Sequence, residues 1–290
     1  MAIVVDPGEH HDLWLALLRE QLPDEEFVHP DDDVDPATVQ FVISWKHPTE
    51  RILGYPNLRA LLLASAGFDH LDPAVMAAVP VVRLIDPAMA DDIALYCLSW
   101  VIHFQRDFDR FASDQPTATW SRPAPRFPRD YTVGVLGHGA IGSVVLETCA
   151  QHGFRTVGWS RSNHDRSYDE FFEASDVVVN LLPLDESTHH AIAAEELAAL
   201  GDGVLINVGR GGTVDTGALL AALDGRMRAA VLDVFTTEPL PADDPLWAHP
   251  KVTITPHIAG RTDPTTSVPV IVESIVDLRA GRRPAGLVER

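Results

Sequence analysis

The sequence predicts an α/β protein with two domains, each built around a parallel sheet, and three observations support this fold class. Short apolar runs alternate with helical patterns from residue 2 to residue 84. A second alternating series starts at Thr132 and continues to Thr255. A long helical pattern separates the two series, and a chain of 290 residues suits about two domains. Such alternation is typical of parallel sheets that carry helices on both faces.

The first series predicts strands joined by a helix and loops. Leu13 and Leu17 recur at helical spacing, which predicts a helix over Asp12–Gln21. The acidic, proline-containing run Pro30–Pro36 predicts a solvated surface loop. The predicted strands are Ala2–Val5, Phe41–Trp45, Leu58–Ala64 and Val81–Leu84.

The segment between the two series predicts one long helix and an extended arm. Apolar side chains recur on one side of Met89–Arg110, so this helix is expected to carry the chain from one domain to the next. Ser113–Arg129 is rich in proline, arginine and tryptophan and is too irregular for a regular element. The helix and the arm together favour a homodimer.

The second series predicts a larger sheet and a helix that follows it. Because the helix Pro264–Ala280 lies beyond the last strand, it is expected to return to the first domain. The predicted domains are therefore 1–92 with 262–290, and 93–261. The predicted strands of the second series are Thr132–Leu136, Thr156–Ser160, Val177–Leu181, Gly203–Val208, Ala229–Leu232 and Val252–Thr255.

Composition and charge exclude several classes of protein. The formal net charge of −20 disfavours nucleic acid and anionic membrane surfaces as partners. No apolar run reaches the length of a transmembrane helix, and the N-terminus lacks the charged region of a signal peptide. Cys97 and Cys149 lie in apolar helical patterns, which predicts buried thiols in a reducing compartment. A cytoplasmic globular protein is expected.

A glycine-rich turn follows the first strand of the second series. Gly137, Gly139 and Gly142 have G-x-G-x-x-G spacing between the strand Thr132–Leu136 and a predicted helix, Ala140–Gln151. Glycine turns also occur for purely structural reasons. Here the strand before it and the helix after it favour the phosphate-binding half of a dinucleotide site. The N–H groups and the dipole at the helix N-terminus would then face the phosphates.

The end of the next strand indicates which dinucleotide binds. An NAD site commonly has a carboxylate about 20 residues after the glycines, to accept a hydrogen bond from the ribose. The strand end here contains Ser160, Arg161 and Ser162 and no carboxylate, while Asp165 lies too far along the chain. A guanidinium suits a ribose 2′-phosphate. NADP(H) is therefore the predicted cofactor, with NAD(H) as the alternative if Arg161 is only a surface cation.

Three later stretches identify a family. Together with the glycine turn, LINVGRGGTVD (205–215), LDVFTTEPLP (232–241) and ITPHIAG (254–260) resemble the D-isomer-specific 2-hydroxyacid dehydrogenase family. SAGFDHLD (65–72) resembles the loop of that family that binds the substrate carboxylate, and LLPLDESTHHAI (181–192) resembles its cofactor-lining segment. WKHP, the arm with Trp120, WSRS and the ending GLVER are most similar to its glyoxylate/hydroxypyruvate reductase A branch.

The resemblance implies two Rossmann-like domains, a flavodoxin-like substrate domain and an NAD(P)-binding domain, with a cleft between them. It places Arg210, Glu238 and His257 in the catalytic roles. Arg210 would hold the carboxylate and the carbonyl oxygen of a 2-keto acid. His257 would donate the proton, and Glu238 would orient its ring and favour the imidazolium. Asp233 matches the family acid near the nicotinamide carboxamide.

The family pattern also assigns the contacts with cofactor and substrate. Bulky apolar side chains in the substrate set would suit a small acid such as glyoxylate or hydroxypyruvate. The implied substrate contacts are Trp45, Ala66, Gly67, Phe68, Met89, Arg210 and His257. The implied cofactor contacts are Gly137, His138, Gly139, Ala140, Ile141, Gly142, Ser160, Arg161, Ser162, Leu182, Pro183, Val208, Gly209, Asp233, His257, Ala259 and Gly260.

Several alternatives remain at this point. Among the enzymes, the alternative is an NAD-dependent D-2-hydroxyacid dehydrogenase that acts on another small acid. The same fold occurs in transcriptional corepressors of the family, so a cofactor-sensing binding protein is the candidate outside the enzymes. Most of the 13 histidines are expected to be surface or core residues, the adjacent pairs His10–His11 and His189–His190 are expected to face solvent, and no metal is expected. The ring of His138 is expected to point outward. Trp120 is expected either to pack at an interface or to reach the site of a neighbouring subunit.

Overall fold

The chain divides into two compact units, Met1–Met89 with Thr262–Arg290, and Ala90–Arg261. This division is seen in a computed structural model, which describes residues 1–289. The first unit is assembled from two separate parts of the sequence. Each unit contains a largely parallel sheet with helices in its crossovers, so the predicted α/β class is confirmed.

The first unit has a five-stranded parallel sheet. Its elements are β1 (Ala2–Asp6), α1 (His11–Gln21), β2 (Glu26–Val28), β3 (Val39–Ser44), α2 (Thr49–Leu53), β4 (Ala60–Leu63), α3 (Pro73–Ala78) and β5 (Val81–Val82). The strands lie in the order β2-β1-β3-β4-β5. The inner strands are apolar and buried along nearly their whole length, because helices and loops cover both faces of a parallel sheet.

The second unit has a seven-stranded sheet. The helix α4 (Pro87–Gln105) leads into it, and the elements that follow are α5 (Phe108–Asp114), β6 (Thr132–Leu136), α6 (Ala140–Gln151), β7 (Arg155–Ser160), β8 (Asn163–His164), α7 (Tyr168–Glu173), β9 (Val177–Asn180), α8 (Ala194–Leu200), β10 (Val204–Asn207), α9 (Thr216–Asp224), β11 (Ala229–Leu232) and β12 (Val252–Ile254). The strand order is β12-β11-β10-β9-β6-β7-β8. All pairs are parallel except the short edge pair β7–β8.

The last helix, α10 (Pro264–Arg279), follows the second sheet in the chain and belongs to the first unit. The Asp263 carboxylate caps it by accepting a hydrogen bond from the Thr265 N–H at 2.8 Å. This bond, the hydroxyl of Thr265 and the charge of His10 hold the pKa of Asp263 below its ordinary value of 3.8. The cap fixes where the helix begins.

The prediction of one long helix over Met89–Arg110 was wrong, because the structure has two helices there, α4 and α5. Asp107 lies between α4 and α5 in the left-handed region, with φ 58°. Its carboxylate accepts a hydrogen bond from Arg228 Nη2 at 2.8 Å, and Asp109 pairs with the same guanidinium. Aspartate tolerates this backbone conformation better than most residues, and the paired Arg228 holds it there. The arm after α5 is irregular, as predicted, apart from the 3₁₀ turns Gln115–Thr117 and Pro128–Asp130.

The remaining boundaries follow the predicted ones within two residues, as in β4 (Ala60–Leu63) against the predicted Leu58–Ala64. Four short elements were not predicted, namely β2, α2, α3 and β8. Each has only a few residues, so its sequence carries too little periodicity to indicate a helix or a strand.

The two cysteine thiols are free and buried, as predicted. Burial raises the pKa of Cys97 far above its ordinary range and that of Cys149 to about 12. Both side chains therefore remain protonated and act as core residues. Within residues 1–289, no helix is long and apolar enough to cross a membrane.

Candidate active site

The carboxyl ends of the parallel strands β6, β9, β10, β11 and β12 meet at one edge of the second sheet. Chain order reverses beside β6, which lies between β9 and β7. Open parallel sheets bind ligands at this edge, at the point where the order reverses. The loops after these strands carry most of the cofactor and catalytic residues predicted from the sequence.

The glycine turn after β6 has the shape that a dinucleotide phosphate needs. Gly137 has φ 102°, which favours glycine, and a Cβ on Gly142 would lie 2.2 Å from the Gly137 carbonyl oxygen. A Cβ on Gly139 would meet no atom within 4 Å, so this glycine borders open space at the start of α6. Gly137 and Gly142 therefore close the turn against the helix, while Gly139 leaves the outer side of the turn free for a phosphate.

The ring of His138 does not point outward, so that expectation was wrong. A Cβ on Gly158 would lie 2.7 Å from His138 Nδ1, and the same nitrogen is 3.1 Å from the side-chain amide of Asn163. The missing side chain at Gly158 leaves the space that the ring fills on β7. His138 thereby connects the glycine turn with the loop after β7.

The loop after β7 is a tight hairpin that presents Arg161. The Asn163 N–H donates to Ser160 Oγ at 3.1 Å, and His164 Nδ1 lies 2.8 Å from the Ser160 carbonyl oxygen. The guanidinium of Arg161 is exposed, with its Nη2 at 3.7 Å from the carboxylate of Asp185. Arg161 and Ser162 therefore lie at the tip of this turn, whereas the sequence predicts only that a strand ends there.

Asp185 faces this hairpin from the loop after β9. Its pKa is lowered, first by the hydroxyl of Ser187, which donates to the carboxylate, and also by the charge of Arg161. The N–H of Thr188 donates to the same carboxylate oxygen at 3.1 Å. Asp185 is thus an ionised group whose main partners are in its own turn, and Arg161 remains a cation at the hairpin tip.

His257 and Glu238 form a close pair, as the sequence predicts. Nδ1 of His257 lies 2.7 Å from Oε2 of Glu238, and Oε1 of Glu238 accepts a hydrogen bond from the Phe235 N–H at 2.9 Å. Both side chains are partly exposed. Because Glu238 engages Nδ1, Nε2 is the ring atom left to exchange a proton with a substrate.

The loop that carries His257 is held by Asp233. His257 has φ 55°, an uncommon conformation for a residue other than glycine. Its N–H donates to the Asp233 carbonyl oxygen at 2.9 Å, and the N–H groups of Ile258 and Ala259 donate to the two Asp233 carboxylate oxygens, each at 2.9 Å. Asp233 is only 1% exposed. The predicted place of Asp233 near the nicotinamide carboxamide stays a prediction, and the structure shows that its carboxylate holds the loop that carries His257.

Two further residues support Asp233. The Thr255 hydroxyl donates to Asp233 Oδ1 at 2.5 Å, and the Tyr96 hydroxyl lies 2.6 Å from the Thr255 hydroxyl. Burial raises the pKa of Tyr96, so it remains a neutral hydroxyl. Sequence reasoning missed both residues. Thr255 lies inside the ITPHIAG stretch and could have been found there, whereas Tyr96 lies in α4 without any motif.

The loop that carries Arg210 packs backbone against backbone with its neighbours. A Cβ on Gly209 would lie 2.7 Å from the Leu182 carbonyl oxygen, and a Cβ on Gly211 would lie 2.0 Å from the Phe235 carbonyl carbon. Arg210 is half-buried, and its Nη1 donates to the Gly209 carbonyl oxygen at 2.7 Å. The glycines around Arg210 are thus required for packing, and they place this loop beside those that carry Leu182 and Glu238.

The other predicted cofactor residues follow the same strand ends. Pro183 follows β9, Val208 follows β10, and Gly260 follows β12. Ala140 and Ile141 form the first turn of α6.

The predicted substrate residues of the first unit differ in exposure. Trp45 and Phe68 are exposed, at 42% and 37%, whereas Met89 is buried at 7%. The ring of Trp45 packs on Gly8, where a Cβ would come within 3.1 Å of it. Ala66 and Gly67 lie in the loop after β4, which the Ser65 hydroxyl closes by donating to the Gly67 carbonyl oxygen at 2.9 Å.

Residues 98–259 match a family model described as the NAD-binding domain of D-isomer specific 2-hydroxyacid dehydrogenases. Among solved structures, the chain is similar to a D-isomer specific 2-hydroxyacid dehydrogenase from Xanthobacter autotrophicus in complex with NADPH and MES. The identity is 34%, 99% of this chain and 98% of that chain are covered, and the TM-score is 0.92. A family protein from Klebsiella pneumoniae is 36% identical, with 100% and 97% covered and a TM-score of 0.89.

A third solved structure has a more specific description. It is an NADPH-dependent glyoxylate/hydroxypyruvate reductase from Sinorhizobium meliloti in complex with NADP and sulfate. The identity is 26%, with 99% of this chain and 98% of that chain covered and a TM-score of 0.92.

Proposed function

Because the chain belongs to the D-isomer specific 2-hydroxyacid dehydrogenase family, an NAD(P)-dependent family of oxidoreductases, we propose that it reduces small 2-keto acids with NADPH. Glyoxylate and hydroxypyruvate are the proposed substrates, and the products are 2-hydroxy acids. The observation that carries the proposal is the 2.7 Å contact between His257 and Glu238 at the carboxyl edge of the sheet. The contact pairs a proton donor, His257, with the carboxylate that orients it, Glu238. Both residues lie in the loops where this family binds its cofactor.

Arg210 binds the substrate in this proposal. Its planar guanidinium makes paired hydrogen bonds to the substrate carboxylate and polarises the neighbouring carbonyl oxygen. The bound cofactor supplies the hydride that the carbonyl carbon receives. Negative charge then develops on the carbonyl oxygen, and a fixed cation next to that oxygen stabilises the transition state more than the ground state.

His257 completes the reduction by donating a proton from Nε2 to the carbonyl oxygen. Glu238 accepts a hydrogen bond from Nδ1–H and orients the ring, so that Nε2 carries the proton that is transferred. After the transfer the ring is neutral, and it takes up a proton from solvent for the next turnover. In the reverse direction the neutral ring accepts the hydroxyl proton.

The cofactor preference is proposed from Arg161. Its exposed guanidinium at the hairpin tip suits a 2′-phosphate, and no carboxylate stands at Ser160–Ser162 to accept from a ribose hydroxyl. The solved relatives that hold NADPH or NADP support the same preference. NAD(H) is the alternative cofactor.

We further propose a small substrate pocket and a homodimer in the cytoplasm. Trp45, Phe68 and Met89 would line the pocket, and the N–H groups of Ala66 and Gly67 would bind the substrate carboxylate. An interface is supported by exposed apolar side chains on α4, α5 and the arm, which are Leu95, Phe108, Phe111 and Trp120.

The test is a comparison of NADPH and NADH as reductants of glyoxylate, hydroxypyruvate and pyruvate, followed at the absorbance of the reduced nicotinamide. We expect glyoxylate and hydroxypyruvate to be reduced fastest, with NADPH preferred. Arg161→Ala should lower kcat/KM for NADPH by roughly 10-fold or more while changing that for NADH little, because one charge-assisted contact to the 2′-phosphate is lost. Equal use of NADH by the wild-type protein would contradict the role of Arg161.

A cofactor-sensing binding protein is the second candidate. A sensor would keep the same cofactor-binding loops as the enzymes of the family. Tight NADPH binding without turnover of any 2-keto acid would support the sensor and reject the enzyme.

A further inference from the structure

Three buried polar side chains form a hydrogen-bonded cluster at the Arg210 loop, residues 208–213. Asn180 ends β9, Asn207 ends β10, and Thr213 lies in the turn after Arg210. Their exposures are 0%, 1% and 0%. Burying an amide or a hydroxyl costs free energy unless its hydrogen bonds are satisfied, so apolar residues would be the default at these positions.

Amide side chains in this row of the sheet lie on two neighbouring strands, β9 and β10, which lead into the loops that carry Leu182 and Arg210. Asn180 and Asn207 are direct partners across β9 and β10. On the outer sides, Asn180 pairs with Leu136 of β6, and Asn207 pairs with Leu232 of β11. The flanking strands therefore carry leucine at the same level. The amides are not a general property of the strand ends in this sheet.

The hydrogen bonds between the three side chains have a consistent direction. The amide of Asn180 donates to Asn207 Oδ1 at 2.9 Å and to Thr213 Oγ1 at 2.7 Å. Both hydrogens of that amide are thus used. The Thr213 hydroxyl, having accepted from Asn180, can donate its own hydrogen onward.

The donors that remain converge on one atom, the carbonyl oxygen of Arg210. It accepts from the Thr213 hydroxyl at 2.6 Å, from Asn207 Nδ2 at 3.2 Å and from the Thr213 N–H at 3.2 Å. The remaining acceptors bind the backbone of adjacent loops. Asn180 Oδ1 accepts from the Leu182 N–H at 3.1 Å, and Asn207 Oδ1 accepts from the Gly209 N–H at 3.2 Å.

We propose that Asn180, Asn207 and Thr213 are positioning residues that fix the Arg210 backbone, and hence its guanidinium, relative to the segment after β9 that carries Leu182. The inference rests on the proposed function, in which Arg210 binds the substrate. The network joins the backbone before and after Arg210 to the Leu182 segment. The Thr213 hydroxyl binds the Arg210 carbonyl oxygen directly and is connected to Leu182 only through Asn180, whereas Asn180 binds the Leu182 N–H itself. Loss of the Thr213 hydroxyl is therefore expected to affect substrate binding more than cofactor binding.

The test compares Thr213→Val, which keeps the shape and removes the hydroxyl, with Thr213→Ser, which keeps the hydroxyl. We expect Thr213→Val to lower kcat/KM for glyoxylate by about 10- to 100-fold, because small displacements of a binding group cost this much. The Kd for NADPH should change by less than about threefold, and Thr213→Ser should recover most of the lost activity. If Thr213→Val does not fold, Thr213→Ala takes its place in the same comparison with serine.

Hydrogen exchange of the Arg210 loop gives a second readout that does not depend on activity. In protein without cofactor, backbone N–H groups of residues 208–213 should exchange faster in Thr213→Val than in the wild type or Thr213→Ser. Ser175→Ala is the matched control, because it also removes a buried hydroxyl, one that donates to the Phe171 carbonyl oxygen at 2.7 Å. Ser175 lies just before β9, at the end of the strand opposite to Asn180. Ser175→Ala should leave exchange in 208–213 and kcat/KM unchanged.

The outcomes separate this inference from the proposed function. If Thr213→Val and Thr213→Ser behave alike in exchange and in kcat/KM, the positioning role is rejected even when the wild-type protein is active. If the wild-type protein reduces no 2-keto acid, the proposed function fails. The exchange comparison then still decides whether the three side chains hold the Arg210 loop.

Discussion

His257→Gln should abolish nearly all reduction of glyoxylate while leaving NADPH binding close to that of the wild-type protein. Glutamine can still accept or donate a hydrogen bond, but it cannot supply a proton to the carbonyl oxygen. General acid catalysis contributes about 10²- to 10⁴-fold, and we expect a loss of kcat in that range. Turnover is measured with NADPH and glyoxylate, and the Kd for NADPH by the quenching or enhancement of its fluorescence.

His249→Gln is the matched control for His257→Gln. His249 also pairs with a carboxylate, with its Nε2 at 3.5 Å from Asp224, but it lies before β12, at the opposite end of the strand from His257. His249→Gln should leave kcat unchanged. Loss of NADPH binding in His257→Gln would contradict the proton-donor role. It would show that the change disturbs the loop held by Asp233, whose carboxylate binds the N–H groups of Ile258 and Ala259.

Arg210→Ala should lower kcat/KM for glyoxylate by about 30- to 1,000-fold, which corresponds to about 2–4 kcal/mol of transition-state stabilisation. The guanidinium is the cation that the proposal places against both the substrate carboxylate and the carbonyl oxygen. Arg210→Lys should restore only part of the activity, because a single ammonium cannot reproduce the paired geometry. The measurement is the dependence of the initial rate on glyoxylate at saturating NADPH.

Arg226→Ala provides the control, since it removes an exposed arginine of the same unit that lies before β11. Its kcat/KM should equal that of the wild-type protein. If Arg210→Ala retains near wild-type turnover of glyoxylate and hydroxypyruvate, Arg210 is not the substrate-binding residue.

Much of the second sheet could be predicted from the sequence. β6 (Thr132–Leu136), α6 (Ala140–Gln151) and β11 (Ala229–Leu232) agree residue for residue with the predicted elements. Their patterns are strong because fully buried strands need continuous apolar runs, while the glycine turn marks the point where strand gives way to helix. Local sequence was sufficient wherever burial alone determined the element.

The break between α4 and α5 shows where local reasoning fails. Apolar side chains continue at helical spacing across Asp107, so nothing nearby in the sequence marks an end. The partner that holds Asp107 in its left-handed conformation is Arg228, which lies 121 residues further along the chain. An element that ends because of a distant ion pair cannot be located from its own residues.

In the candidate site, too, local motifs could be predicted from the sequence, whereas contacts with distant residues could not. Arg210, Glu238 and His257 could be named from motifs, and the structure places His257 and Glu238 in contact at 2.7 Å. The groups that hold them were not predicted. Tyr96 and its partner Thr255 are 159 residues apart, and Asn180 lies in a plain apolar strand. Such support is a property of packing between distant segments, and it is seen only in the three-dimensional structure.

Transfer of a labelled hydride tests the central claim most directly. The wild-type protein is incubated with glyoxylate and NADPH that carries deuterium at C4 of the nicotinamide, on the face from which the hydride leaves, and the glycolate is analysed by mass spectrometry and NMR. We predict glycolate with one deuterium on the carbon that was the aldehyde, formed by the wild-type protein and greatly reduced in His257→Gln. Glycolate without deuterium, or no glycolate from the wild-type protein, would contradict the proposed reduction.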